Sequence, residues 1–116
     1  MTLKAYQDTQ LLSEDPRNTE YRLIGRITGA LIDAQKAGAK GAPLVEAVDW
    51  NRRLWRTLAS DCLDDRNKLP ETVRANIVSL SLWVTKYSKQ VTRKGAAIDP
   101  LIEINRTIME GLQGAA

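Results

Sequence analysis

Side chains that could do chemistry are few in this chain, and they do not occur in catalytic combinations. None of the 116 residues is a histidine, which excludes a Ser-His-Asp triad, a Cys-His pair and most zinc sites. The single cysteine, Cys62, falls on an apolar helical stripe, so we interpret it as a buried thiol and not a nucleophile. Carboxylates cluster at Asp61, Asp64 and Asp65, but beside Arg66 in a polar stretch that indicates a solvated turn. We therefore expect no enzymatic activity and no catalytic, metal or cofactor site.

The residues Trp50, Arg52 and Arg53 are candidates for contact with another macromolecule. They follow one another closely in a predicted helix, and Trp and Arg dominate the hot spots of protein interfaces. Helical geometry places Trp50 away from the apolar stripe of its helix, whereas Trp55 falls inside that stripe. Trp50 is therefore either an interface residue or a cover for the flank of the fold, and the sequence favours neither.

A second candidate is the helix predicted over residues 70–94, because it is apolar on two sides. Its main stripe consists of Val73, Ile77, Leu80, Val84, Tyr87 and Val91. Ala75, Val78 and Leu82 form a second line on roughly the opposite side. We expect this helix to run through the middle of a bundle, with both sides covered. The alternative is that the line of Val78 and Leu82 faces a groove where a partner helix docks.

Basic residues form two groups in the sequence. The groups are Arg52, Arg53 and Arg56 in one predicted helix, and Lys86, Lys89, Arg93 and Lys94 near the end of another. Cations near the C-terminus of a helix interact favourably with its dipole, so the second group needs no partner to explain it. A solvated face is the simpler interpretation. Contact of the two groups with phosphates or with an acidic protein surface is the alternative.

Apolar residues at steps of three and four, interrupted by glycine and proline, predict the elements that position these residues. Besides the stripe of the helix over residues 70–94, the predicted stripes are Ile24, Ile27, Leu31 and Ala34; Leu44, Val48, Trp55, Leu58 and Cys62; and Leu101, Ile104, Ile108 and Leu112. Helices are expected over residues 3–12, 16–37, 44–63, 70–94 and 100–112, with Asp15-Pro16 and Asp99-Pro100 as helix starts. Asn51 and Asn105 interrupt apolar stripes, and a buried amide must be hydrogen-bonded. We expect both to set helix ends or register inside the bundle; a role in ligand binding is the alternative. The predicted fold is all-α, an irregular bundle of four to five helices forming a single domain over residues 1–116.

Composition fits a protein with one core. Hydrophobic residues make up 43% and charged residues 27% of the chain, as in ordinary globular proteins. With 17 basic and 14 acidic residues the net charge is +3, too small an excess to require a nucleic-acid partner, although RNA contact stays an alternative. The chain has no signal-peptide pattern and no apolar stretch long enough to cross a membrane. We expect a cytoplasmic protein that binds no membrane and no small-molecule substrate.

Four segments in a fixed order resemble the FlaF family of flagellar biosynthesis regulators. They are PRNTEYRLIGRIT over residues 16–28, NRRLW over 51–55, LPETVRANIVSLSLWV over 69–84 and LIEINRTIMEGL over 101–112. The resemblance extends from Tyr6 to Leu112. It implies no catalytic motif, because the family has none that is established.

The resemblance implies a function that the residues alone do not indicate. A FlaF-like protein is expected to bind newly made flagellin in the cytoplasm, as an export chaperone does, and to support its production and secretion by regulation after transcription. A small FlbT-like regulator is a further expected partner. The alternatives are an RNA-binding regulator of flagellin mRNA and a scaffold whose partner is an FlbT-like regulator. We expect Trp50, Arg52, Arg53, Val78 and Leu82 to contact the partner.

Overall fold

Four helices account for most of the part of the chain that is described. The structure is a computed structural model that describes residues 16–114, with side chains for residues 21–111. The helices are α1 (Pro16–Lys36), α2 (Ala42–Leu63), α3 (Glu71–Lys94) and α4 (Asp99–Gly114). No strand occurs in this range, which confirms the all-α prediction. The helix predicted over residues 3–12 and the predicted capping residue Asp15 lie outside the described residues.

Most helix ends fall next to glycine or proline, as predicted, although α2 begins at Ala42, before the predicted start at residue 44, and ends at Leu63, before Asp64. Gly38 and Gly41 have φ angles of 60° and 64° in the turn between α1 and α2, a conformation that is costly for any residue with a Cβ atom. Pro43 lies in the first turn of α2, where its missing N–H breaks no helical hydrogen bond. Pro70 directly precedes α3, and Gly95 ends it with a φ of 71°. These boundaries are therefore set by local backbone chemistry.

The start of α4 is linked to the end of α1. The helix begins at Asp99 with Pro100 next to it, as the Asp-Pro pair predicts. The carboxylate of Asp99 accepts a hydrogen bond from the side chain of Gln35 in α1. The two helix ends are thereby held side by side.

The helices pack in the spatial order α3, α2, α1, α4. The contact between α2 and α3 is the most extensive, α1 packs against both α2 and α4, and α3 touches α4 only weakly. One hydrophobic core lies between them, and it is formed by Ile24, Ile27, Leu31, Val48, Leu54, Trp55, Leu58, Cys62, Ile77, Val84, Val91, Ile98, Leu101 and Ile102. Most of these residues lie on the predicted stripes, but Val73 is 39% exposed. Its predicted place in the core is wrong.

The position of α3 differs from the expected one. The expectation that α3 runs through the middle of the bundle is wrong for the described residues, because Ala75 is exposed and Leu82 is 63% exposed. Helix α3 instead lies at the edge of the bundle, packed mainly on α2. One of its apolar sides joins the core and the other faces outward.

Candidate functional site

A hydrogen-bonded cluster of polar side chains lies at the centre of the bundle and holds α2 in place. Asn105 of α4 is fully buried, and its Oδ1 accepts a hydrogen bond of 2.7 Å from Trp55 Nε1. Its Nδ2 donates to Asn51 Oδ1 at 2.7 Å and to Thr28 Oγ1 at 3.1 Å. The hydroxyl of Ser81 in α3 donates to the backbone oxygen of Trp55 at 3.1 Å. The cluster joins all four described helices and confirms that Asn105 is hydrogen-bonded inside the bundle. Asn51 is bonded there through Oδ1 only, because its buried Nδ2 has no partner among the described residues.

The outward side of α3 carries an apolar surface, which we call the outer strip and define as Leu63, Ala75, Val78 and Leu82. Leu63 at the end of α2 is 71% exposed and Leu82 is 63% exposed. Leu63, Ala75 and Val78 line a shallow cavity of about 450 Å³, which Glu71 and Arg74 also border. Leu82 follows Val78 by four residues and so lies one turn further on the same side of α3. Within residues 21–111, no side chain covers these two leucines.

The two predicted contact residues of the outer strip are placed differently. Val78 is half-buried and packs against the hydrophobic core, whereas most of the Leu82 side chain is in solvent. A change at Val78 therefore affects the fold as well as the surface, because a packed core neighbour is sensitive to volume and polarity. Leu82 is the residue at which the surface can be altered separately.

Trp50 lies in a different depression, between α1 and α2. The indole is 39% exposed and borders a cavity of about 590 Å³. The walls of this cavity are mostly small side chains, including Ala30, Ala34, Ala37 and Ala47. The small side chains leave open space beside a large aromatic ring, so Trp50 offers apolar area at the surface instead of filling the core.

Of the predicted group, Arg52 lies on a different side of α2 from Trp50, whereas Arg53, three positions after Trp50, lies on the same side. Residues two positions apart point about 160° away from each other around a helix, and Arg52 borders the gap between α2 and α3. Arg52 Nη2 and Arg53 Nε bind the two carboxylate oxygens of Asp49, at 2.7 Å and 3.0 Å. The hydrogen bond from Arg52 is the main reason that the pKa of Asp49 is lowered. Burial opposes this shift, and the charges of Arg53, Arg52 and Arg56 add to the lowering.

The two basic groups of the sequence meet in one small cavity, which we call the basic pocket. It lies between α2 and α3 and measures about 160 Å³. Its lining consists of Val45, Val48, Asp49, Arg52, Ser88, Lys89, Thr92 and Arg93. Arg53 and the remaining cations of the two groups do not border it. The sequence predicted two separate basic groups, and the packing of α2 on α3 brings one residue of the first beside two residues of the second.

The residues with potential thiol or acid chemistry lie in the core and in the turn that follows α2. Cys62 is 5% exposed within the core. The Asp64 carboxylate binds the backbone and side-chain N–H groups of Arg66 at 2.8–3.1 Å, and these hydrogen bonds lower the pKa of Asp64. Asp61 and Asp65 are exposed and Asp64 is half-buried, so the predicted solvated turn is confirmed for two of its three carboxylates. In the described part of the chain, no three acidic or cysteine side chains are grouped as metal ligands, and none of the helices is long and apolar enough to cross a membrane.

Comparison with known proteins decides the family. A sequence profile described as flagellar protein FlaF matches residues 2–112, nearly the whole chain and all four of the segments that resemble the family. The chain belongs to the FlaF family. The family places it among flagellar proteins. No curated protein and no solved structure gives a match.

Two features of these surfaces were not predicted from the sequence. Leu63 lies at the last residue of α2, outside its apolar stripe, and only the packing of α3 makes it part of the outer strip. Ser88 gave no signal, because a serine in a helix is usually solvated. In this FlaF-family chain it is 3% exposed and borders the basic pocket.

Proposed function

We propose that this FlaF-family protein binds flagellin in the cytoplasm and, as a chaperone-like factor acting after transcription, supports flagellin production and secretion. The observation that carries the proposal is the outer strip, an apolar surface on a protein of a flagellar family. Exposed apolar surfaces of this kind mark sites of protein interaction. The function is binding, without catalysis and without a cofactor.

The chemistry of the outer strip suits an apolar face of a partner helix. Leu63 and Leu82 lie on two different helices, and a cavity lies beside Leu63, Ala75 and Val78. A partner side chain can enter this cavity in the manner of helix-in-groove recognition. Full burial of one leucine contributes about 1.5–3 kcal/mol. Two such residues therefore supply a substantial share of the binding free energy of a micromolar complex, about 8 kcal/mol.

The direct test is calorimetric titration of the purified protein with flagellin from the same organism. The wild-type protein is expected to bind, and Leu82→Asp is expected to weaken binding by about tenfold or more, because the buried leucine contribution is lost and a charge is desolvated. Leu82→Asp is preferred to any change at Val78, since Val78 also packs against the core.

Leu23→Asp is the matched control, because Leu23 is an exposed leucine on α1, 40% exposed, away from the outer strip. It introduces the same charge and should leave flagellin affinity within about twofold, as expected of a surface change away from the interface. Circular dichroism confirms that both variants are folded. Absence of binding by every flagellin of the organism would end the proposal, and equal weakening by both variants would remove the outer strip from it.

Two alternative partners, an FlbT-like regulator and flagellin mRNA, can be tested with the same protein. Co-purification from cell extract followed by identification of the bound chains reveals whether an FlbT-like regulator is retained in place of flagellin. Binding to flagellin mRNA, the RNA alternative, predicts an affinity that falls steeply with added salt because phosphate contacts release counterions. A gel shift with that salt dependence and no flagellin binding would replace the proposal with the RNA alternative.

A further inference from the structure

The basic pocket contains a buried polar group that has no partner. Ser88 is 3% exposed, and its Oγ forms no hydrogen bond with any described residue. A buried hydroxyl left without a hydrogen bond costs about 1–3 kcal/mol. Ser88 borders the basic pocket, so a ligand with an acceptor atom in that pocket would satisfy it.

The cations that line the basic pocket can also bind a ligand. Lys89 and Arg93 are exposed, and neither forms an ion pair with a described residue. Arg52 on the opposite wall donates one hydrogen bond, to Asp49, and a guanidinium carries five N–H donors. Three cations therefore converge on a space that holds a single carboxylate of the protein's own.

The size and the lining of the pocket indicate what kind of anion fits. At about 160 Å³ the space is smaller than the roughly 300–1,000 Å³ of pockets that enclose drug-sized ligands. No aromatic side chain lines it, whereas proteins that bind single-stranded RNA stack bases on aromatic rings. Val45, 46% exposed, and Val48 supply an apolar wall. A glutamate or aspartate side chain matches this lining. Its methylene groups can contact the apolar wall, and its carboxylate can contact the cations.

We propose that the basic pocket between α2 and α3 receives a glutamate or aspartate side chain of a polypeptide partner, bound by Lys89, Arg93 and the Ser88 hydroxyl, with Arg52 on the opposite wall. The carboxylate accepts a hydrogen bond from the buried Ser88 hydroxyl and charge-assisted hydrogen bonds from the cations. This inference rests on the proposed function only in taking the partner to be a polypeptide. The partner need not be flagellin.

The test is a titration of the ¹⁵N-labelled protein, followed by NMR, with a capped pentapeptide of glycine and two glutamates. Saturable shifts are expected at the backbone amides of Ser88, Lys89 and Thr92, and the same peptide with glutamine in place of glutamate should cause none. Arg93→Gln should weaken binding about tenfold, because it removes a charge-assisted hydrogen bond. Lys86→Gln is the matched control, since Lys86 lies on the same helix but does not border the pocket, and affinity should be unchanged.

Ser88→Ala separates binding from folding. Removal of an unpartnered buried hydroxyl should leave thermal stability equal or higher, while the affinity for the glutamate peptide falls about fivefold with the lost hydrogen bond. Because Arg93→Gln changes an exposed residue, it keeps the test informative if Ser88→Ala should unfold. Unchanged affinity in both variants, or equal binding of the glutamine peptide, overturns the proposal.

Two further probes distinguish other anions. Inorganic phosphate that saturates the site when the glutamate peptide does not would overturn the proposal, and so would a ten-residue oligouridylate that shifts the same amides at lower concentration than the peptide. The absence of any saturable shift overturns it as well. Failure of this titration leaves flagellin binding through the outer strip intact, whereas failure of the flagellin experiment leaves the peptide result standing, so the two proposals are tested separately.

Discussion

Replacement of Asn105 by alanine is the sharpest test of the buried cluster. The side chain of Asn105 accepts one hydrogen bond and donates two, to groups that are between 0% and 4% exposed. In the variant, Trp55 Nε1 and Asn51 Oδ1 each lose their hydrogen-bond partner. Thr28 is affected less, because its hydroxyl still donates to the backbone oxygen of Ile24 at 2.6 Å.

The expected loss of stability follows from the two atoms left without a hydrogen bond, Trp55 Nε1 and Asn51 Oδ1. Each buried polar atom without a hydrogen bond costs about 1–3 kcal/mol, so Asn105→Ala should lower the free energy of unfolding by about 2–6 kcal/mol. Small domains have only about 5–15 kcal/mol in total, and a fall in Tm of more than about 10 °C is expected. Urea unfolding followed by far-UV circular dichroism measures the change directly, independently of the tryptophan signal.

A double-mutant cycle with Trp55→Phe isolates one hydrogen bond of the cluster. Each single variant leaves the other group unpartnered, but the double variant removes both, so its cost should be smaller than the sum of the single costs by about 1–2 kcal/mol. Thr107→Ala is the control, because Thr107 is an exposed residue of the same helix and should change stability by less than about 0.5 kcal/mol. A loss below about 1 kcal/mol for Asn105→Ala, or strict additivity in the cycle, would refute the reasoning.

Two further predictions concern a helix end and an ion pair. Gly95→Ala should destabilise the protein by about 1 kcal/mol, because alanine disfavours the positive φ of 71° at the end of α3. Gly111→Ala should instead stabilise it by about 0.5–1 kcal/mol, because Gly111 lies inside α4 with open space at its Cβ position. Thermal unfolding of both variants checks that the two changes in stability have opposite signs. Arg52→Gln should raise the pKa of Asp49 towards 3.8 further than Arg53→Gln does, because the hydrogen bond from Arg52 is the largest cause of the lowered pKa. The stabilisation from ionised Asp49 is present above the unfolded-state pKa and is lost as pH falls through the lower folded-state pKa, and NMR titration of the Asp49 carboxyl carbon reports it. The reverse order of the two arginine variants would contradict this assignment.

The helices and their ends could be read from the sequence because both depend on neighbouring residues. Proline before α3 and glycine after it act through their own backbone torsion angles. The apolar spacing in α1 placed Ile24, Ile27 and Leu31 correctly, because a residue's direction on a helix follows from its number. The same rule placed Val73 wrongly, since the spacing gives direction but does not say where the neighbouring helix stops.

The candidate surfaces could be predicted only in part. Val78 and Leu82 were identified as a second apolar line, but direction around a helix does not reveal whether another helix covers that line. Trp50 and Arg52 were grouped because they are close in sequence, and yet two residues along a helix separate them into different depressions. Whether Trp50 contacts a partner stays a prediction.

By itself the sequence determined the all-α class, the helix ends and the membership of the FlaF family, because these depend on residue type and order along the chain. Tertiary structure decided which helix lies at the edge, that Asn105 bonds to Asn51 from 54 positions away, and that Arg52 borders the same pocket as Ser88 and Arg93. The physical reason is that packing free energy is shared among all four helices. The local sequence pattern of one helix therefore does not show which of its faces stay exposed to solvent after the helices have packed.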